Sequence, residues 1–229
     1  PPLSSRLKVF ALDDGTIGYL GGPELETKDL SLFLANVARQ KPKAILLDRL
    51  FGRTPTEPGA QKFLAEIQKM NIPVYSGATI ISRLTYRAEN DLSEEQYGLD
   101  RWIDGDIAAT KPFLKQSLHN LDGAVYGYDK SYEGVFKGVG HLSFDHVGSV
   151  YPVVVFKDKI IPHLSLYGSE SFAIKDEHLT INNIIVPLTD KGAVIVNHRP
   201  VSDFYGKMKP LQGGIKRARN NQPEEWIQE

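Results

Sequence analysis

Ala44-Ile-Leu-Leu47 followed by Asp48, then Ala60, Phe63, Leu64, Ile67 and Met70, then Val74-Tyr-Ser-Gly-Ala-Thr-Ile-Ile81, is the stretch that decides the fold class. Two apolar runs of strand length flank five apolar residues at helical spacing. Thr56 is read as the cap of that helix, with Pro58 in its first turn. Strands joined through one helix by short links pair in parallel with a right-handed crossover. Working upstream, Leu30, Phe33, Leu34, Val37 and Ala38 mark an earlier amphipathic helix, with Thr27 as its N-cap and Pro42 as its stop. Before it, Leu7-Lys-Val-Phe-Ala-Leu12 reads as a strand that ends in a turn at Asp13-Asp14-Gly15. The spacing therefore predicts a parallel βαβαβ core over residues 7–81, with helices at about 27–40 and 57–70.

Downstream the pattern changes. Residues 85–123 are polar and mixed and read as an insertion, with a helix from Ser93 to Ile103 and a helix or long loop from Lys111 to Asn120. A β-rich half follows: Ala124–Tyr128, Val150–Phe156 and Lys159–Ile161, with Lys157-Asp158 as a hairpin tip. Pro162–Phe172 is read as a helix carrying Leu164, Leu166 and Tyr167. Leu179–Leu188 and Ala193–Asn197 are read as two strands around the turn Thr189-Asp-Lys-Gly192. The expected class is one mixed α/β domain: a βαβαβ parallel core extended by a β-rich C-terminal half.

Bulk composition narrows the function classes. The chain has 229 residues, 41% hydrophobic and 24% charged, which is the composition of a folded protein with a sizeable core. Its 27 Lys and Arg against 28 Asp and Glu argue against a nucleic-acid partner, which would favour a basic excess. Cysteine is absent, which excludes disulfides, thiolate zinc sites and cysteine nucleophiles. No apolar run approaches the length of a membrane-spanning helix, and the first residues show no signal-peptide pattern.

The sharpest chemical constellation is Asp13-Asp14 at one strand end and Asp48 at the next. Ligands of open α/β sheets bind beyond the carboxyl ends of the strands, so a ligand pocket is expected near Asp13, Asp14, Asp48 and Ser76. Three carboxylates there could hold magnesium, which makes a metal-dependent phosphohydrolase the alternative reading. A dehalogenase-type phosphatase needs an Asp two residues before its second Asp, and Leu12 occupies that place ahead of Asp14-Gly15-Thr16. A response-regulator receiver carries its phosphoacceptor on the third strand, whereas Asp48 follows the second. Loop and helix capping is the favoured role for these aspartates. Gly15, Gly18, Gly21 and Gly22 fit neither nucleotide-binding fingerprint and read as a turn-rich connection. Of six histidines, His141 and His146 flank Asp145 and could form a metal or ligand site, with a loop histidine in an ordinary hydrogen bond the preferred reading. No nucleophile elbow is present, and with the phosphatase motif broken at Leu12 and no nucleophile–base pair apparent, no hydrolase activity is expected. No cofactor is expected. Lys207, Lys209, Lys216, Arg217 and Arg219 read as a solvated basic face, compatible with a nearby membrane surface.

Five segments in order resemble one family. Val9-Phe-Ala-Leu-Asp-Asp14 with Leu20-Gly21 is similar to its opening strand, acidic turn and Leu-Gly. Pro42-Lys-Ala-Ile-Leu-Leu-Asp48-Arg-Leu-Phe51 is similar to its strand ending in Asp-x-x-Phe. Gly138-Val-Gly140-His-Leu142, Asp145-His-Val-Gly148-Ser-Val-Tyr151 and Pro152-Val-Val resemble its Gly-His, Asp-x-Asp-Gly-x-x-Arg and Pro-Leu. Ile161-Pro-His-Leu-Ser-Leu-Tyr167 resembles its Pro-Ser-Leu-Ala helix, and Val186-Pro-Leu-Thr-Asp-Lys-Gly192-Ala-Val-Ile-Val-Asn197 its Pro-Leu-Asp-x-x-Gly and Asn strand. Over residues 7–211 the chain thus resembles the type-2 CHASE domains, the cyclase/histidine-kinase-associated sensing extracellular modules. His146 and Tyr151 depart from the family's second acid and its Arg. Residues 212–229 are read as a segment leading toward the membrane or toward a further family strand. The resemblance implies a non-catalytic, extracytoplasmic (periplasmic) sensor anchored in the inner membrane by its parent protein. By the same resemblance it is expected to sense an unknown small-molecule or protein signal and to drive a cytoplasmic adenylyl or diguanylyl cyclase or a histidine or serine/threonine kinase. A weak homodimer is expected. Its interface aromatics are sought among Tyr97, Trp102, Phe113, Tyr132, Phe136, Tyr205 and Trp226, with Trp102 and Trp226 the exposed pair.

Overall fold

The computed structural model describes residues 7–22, 25–51, 60–82, 123–126, 132, 134–142, 148–156, 159–175, 177–196 and 208–224. The helices read within 93–103 and 111–120, the Thr56 cap, Pro58, the Lys157-Asp158 tip, Asp145, His146, Trp102 and Trp226 lie outside them. In chain order the structure runs β1 (Phe10–Ala11), α1 (Asp14–Leu20), α2 (Thr27–Ala38), β2 (Ile45–Leu47), α3 (Ala60–Lys69), β3 (Val74–Ser82), β4 (Gly123–Tyr126) and β5 (Gly138–His141). It continues with β6 (Ser149–Val150), β7 (Val153–Phe156), β8 (Lys159–Pro162), a 3-10 turn (Leu164–Gly168), β9 (Phe172–Lys175), β10 (His178–Ile181), β11 (Ile184–Pro187), β12 (Val194–Ile195), β13 (Lys209–Pro210) and α4 (Leu211–Arg219). The class is mixed α/β, and the chain forms two compact units.

The first unit comprises Pro1–Pro42, Pro55–Ile72 and His198–Glu229. α2 buries Leu30, Phe33, Leu34 and Val37, the stripe its spacing predicts. Its cap position is Glu26, with no side-chain bond, and Thr27 is already helical, so Thr27 is not the cap. α3 buries Ala60, Phe63, Leu64 and Ile67 on the face its sequence marks. The Ser31 hydroxyl donates to Glu66, which ties α2 to α3. The expected turn at Asp13-Asp14-Gly15 is instead a helix start. Asp13 accepts the Thr16 N–H at 2.9 Å, and the backbone winds on through the glycine-bearing stretch to Leu20 before Gly21, at φ 79, ends α1. The first strand is the exception to the βαβαβ expectation. β1 is hydrogen-bonded in parallel to β13, with Phe10 opposite Lys209 and Ala11 opposite Pro210. Leu7 and Leu12, read as strand residues, lie exposed outside it. α4 seats Leu211, Gly214 and Ile215 in the core of this unit.

The second unit comprises Lys43–Thr54 and Pro73–Asn197. β3 is its central strand. It pairs in parallel with β2 over Val74–Ser76 and with β5 over Tyr75–Ala78, and antiparallel with β4 over Thr79–Ser82. The predicted parallel relation of the strands on either side of α3 is therefore present. β7 and β8 form an antiparallel hairpin with Phe156 opposite Lys159, the register the sequence predicts. The expected continuous strand over 179–188 is broken. Asn182 and Asn183, at φ 48 and 70, make the two-residue turn that separates β10 from β11. Two positive φ values fit the hairpin twist, and Asn tolerates them better than other side chains do. β9, β10 and β11 thereby become a three-stranded meander. The turn at 189–192 forms as read, with the Gly192 N–H donating to the Thr189 carbonyl at 2.8 Å. Pro162–Phe172 yields only the short 3-10 turn, and β9 begins at Phe172. Tyr132 and Phe136, interface candidates in the sequence, are buried around Phe51 at ring-centroid distances of 5.0 and 4.9 Å.

Gly214 is set by close approach, because a Cβ there would lie 2.4 Å from Phe33 Cε2. At Gly213 a Cβ would meet only the Arg217 guanidinium, at 3.7 Å. Gly214→Ala is expected to destabilise by about 1–3 kcal/mol through overpacking, against about 1 kcal/mol gained in helix propensity. Gly213→Ala is expected to be neutral or stabilising. Urea unfolding of the two variants checks this, and equal midpoints would refute the packing account.

Candidate functional site: a histidine pair at the carboxyl end of a parallel sheet

β2, β3 and β5 run parallel, so their carboxyl ends converge at one edge of the second unit's sheet. The register places Val74, Ser76 and Ala78 of β3 beside Val139 and His141 of β5 on one face, and all five are buried. Tyr75 occupies the other face, stacked on Tyr167 at 4.2 Å between centroids. The 3-10 turn can lie on β5 because Gly140 has no side chain: a Cβ there would sit 2.4 Å from Leu164 Cα. That contact brings the residue before the turn, His163, into a parallel bridge with His141. The two rings meet edge to face at 5.1 Å.

The pair differs in environment. His141 is fully enclosed. Burial, and then the neighbouring His163, push its pKa down to about 3, against a hydrogen bond from the ring to the Tyr151 backbone. His163 is half-buried, and burial lowers its pKa too, opposed by the negative charge of Asp48, which follows β2. Nδ1 of His163 accepts the Ser165 N–H at 3.3 Å and lies 2.8 Å from the Ser165 hydroxyl. Accepting at Nδ1 leaves the proton of the neutral ring on Nε2. The Ser165 contact is a nucleophile–base distance made within two residues, and the same nitrogen caps the 3-10 turn, so its evident work is structural. At neutral pH the site is an uncharged imidazole pair with a carboxylate beside it. It can exchange hydrogen bonds with a polar ligand or take up a proton. Near it on the same face, the fully buried Ser76 hydroxyl has no hydrogen-bond partner among the described residues.

The sequence-predicted residues divide. Asp48, Ser76 and His141 belong to the second unit and cluster toward the sheet's carboxyl end. His141 is an enclosed strand residue, not a loop histidine, because the Gly138-Val-Gly140-His141 stretch is β5 itself. Asp13 and Asp14 belong to the first unit. Asp13 caps α1, and hydrogen bonds from the Thr16 hydroxyl and N–H hold its carboxyl below the usual range, which is the capping role the sequence favoured. Asp145 lies outside the described residues. No group of three His, Asp or Glu side chains converges as a metal site among the described residues. Sequence reasoning missed His163, although a His two residues before Ser165 at a turn start is a local capping signal. A cleft of about 310 Å³ lies in the first unit, lined by Glu26, Lys28, Asp29, Leu32 and Arg219, with Arg219 already paired to Asp29. With this geometry in view, comparison with known proteins adds nothing: no family model, no curated protein and no solved structure matches the chain.

Both imidazoles bind protons less readily in the fold than in the unfolded chain, so below about pH 6.5 unfolding takes up protons. Stability is therefore expected to be unaffected by this pair above that pH. It should fall as pH drops toward 3, by up to about 1.4 kcal/mol per pH unit for each proton taken up. His141→Leu should flatten the decline between pH 6.5 and 5, a window above the titration of ordinary carboxylates. Urea midpoints across that window measure it, and parallel declines in the two proteins would dismiss the histidine as the cause.

Proposed function

We propose that this chain is the extracytoplasmic sensor module of a bacterial membrane receptor of the type-2 CHASE kind. The observation that carries the reading is the order of five motif segments along residues 7–211. Two of them meet in space, since Gly140 of the third lies against Leu164 of the fourth. The module binds its signal without turning it over and passes it on by a population shift: one arrangement of the domain binds the signal better and becomes more populated. The His141–His163 pair with Asp48 is the polar site best suited to receive that signal. The flanking segments carry the change to membrane helices and on to a cyclase or kinase in the cytoplasm. In spheroplasts carrying the full-length parent protein, added protease is expected to cut within this chain, while inside-out vesicles protect it. The opposite pattern, or a parent found in the soluble fraction, overturns the reading. Magnesium-dependent phosphoester turnover abolished by Asp14→Asn would replace it with the phosphohydrolase alternative.

The receptor reading includes a weak homodimer. β11 forms one edge of the meander, and Ile184 and Ile185 on it are each 67% exposed. Residues 179–189 carry no charge, so two copies can pair edge to edge without like charges meeting. Sedimentation equilibrium up to about millimolar, the concentration a membrane tether imposes, is expected to show a dimer that Ile185→Lys weakens. A monomer throughout would assign dimerisation to other parts of the receptor.

A further inference from the structure

The two ends of the described chain are fastened to each other. β1 pairs with β13, and the residue just before β1 accepts from it, with the Lys209 N–H donating to the Val9 carbonyl at 2.8 Å. α4 follows β13 directly, and the residue at its cap position is Pro210, whose side chain cannot cap a helix. The first N–H groups of a helix have no partner inside it and need one from elsewhere. The Gln212 N–H finds its partner at the other end of the chain: it donates to the Thr16 hydroxyl at 3.0 Å. That hydroxyl, fully buried, donates in turn to Asp13 at 2.6 Å. One threonine thus completes the caps of both α1 and α4. The far end of α4 is held by α2 and again by α1. Arg219 donates through Nε and Nη2 to both oxygens of Asp29, at 2.8 and 2.5 Å, and through Nη1 to the Tyr19 hydroxyl at 2.9 Å. Lys216 Nζ lies 4.7 Å from the centre of the Tyr19 ring. Tyr19 belongs to α1, so α1 grips α4 at both of its ends.

We propose that the β1–β13 pair and the Asp13–Thr16–Gln212 relay form a clasp that makes the chain's entering and leaving segments move as one body. A displacement arriving before Leu7 would be delivered beyond Arg219 through a few hydrogen bonds, without passing along the intervening chain. What the clasp transmits rests on the receptor reading; that it exists does not. A fastening of this kind suits a module whose two flanks must shift together.

The isolated chain tests it directly. Without native cysteine, Leu7→Cys and Gln222→Cys, both at exposed positions, accept a single spin-label pair. Electron–electron distance measurement is expected to give one narrow distribution in the parent chain. Thr16→Val keeps the shape and removes the hydroxyl, and should at least double the width of that distribution. It should also speed amide exchange in Leu211–Ile215 about tenfold, with exchange in β3 and β5 unchanged. Thr16→Ser, which restores the hydroxyl and loses the methyl, should recover the narrow distribution. A broad distribution in the parent chain would overturn the clasp. So would an unchanged width in Thr16→Val, or a Thr16→Ser chain as broad as Thr16→Val, which would assign the effect to packing. Since no membrane is involved, failure here leaves the receptor topology standing, and failure of the topology leaves the clasp standing.

Discussion

The backbone of β3 satisfies three neighbours at once, and the second unit's four-stranded sheet depends on it. β2 and β5 reach each other only through β3, and β4 joins the sheet along its last four residues. A central strand has to be apolar on its covered face and small where another segment comes close. β3 meets both demands with Val74 and Ala78 on the face it shares with His141 and with Gly77 on the other. A Cβ at Gly77 would lie 2.5 Å from the Leu142 side chain. The parallel run of β2, β3 and β5 then follows from chain direction, and it alone brings Asp48, Ser76 and His141 to the same edge. Changing the pairing of β3 would remove the site together with the sheet.

What the sequence revealed and what it hid separates by the range of the interactions. α2 and α3 were legible because each carries its own amphipathic period, and β2, β3 and the β7–β8 hairpin because each has a local run and a local punctuation. The partner of β1 was not legible. Phe10 and Ala11 look like any short apolar run, and the choice between β2 and β13 is made by tertiary packing, including Phe10 set edge-on to Phe33 at 5.0 Å. α1 was hidden for a different reason. Its glycines argue against a helix one by one, and the cap from Asp13 with the burial of Thr16 outweighs them. The turn at Asn182-Asn183 was concealed by apolar residues on both sides, which made two strands read as one. Its chemical signal was present in a residue pair that tolerates positive φ.

The candidate site was legible in part. Asp48 and Ser76 follow from the rule that parallel strands present ligands at their carboxyl ends, which needs only strand direction. His141 was found as a residue and misplaced as a loop, since a strand rich in glycine lacks the usual β signature. His163 entered the site through Gly140, a close approach between segments distant in sequence that no local pattern encodes. The Ser76 hydroxyl and the Asn36 side-chain amide of α2 are buried with no hydrogen-bond partner among the described residues, and a buried polar group left without any partner costs about 1–3 kcal/mol. Folds seldom keep such costs where an apolar residue would serve.

The fastening of the first and last described elements has a kinetic consequence. The first unit is discontinuous, and α4, which fills its core with Ile215, is made after every other described element. During synthesis α2 therefore leaves the ribosome with Phe33 only partly covered, by Phe10, and the intervening residues must be made before Gly214 arrives to complete its packing. The strands of the second unit can pair meanwhile, because domains assemble as their own segments emerge. Closure over so long a separation is slow. The nascent chain thus passes through an interval with one unit formed and the other open, and that interval is its period of greatest exposure to aggregation and to chaperones.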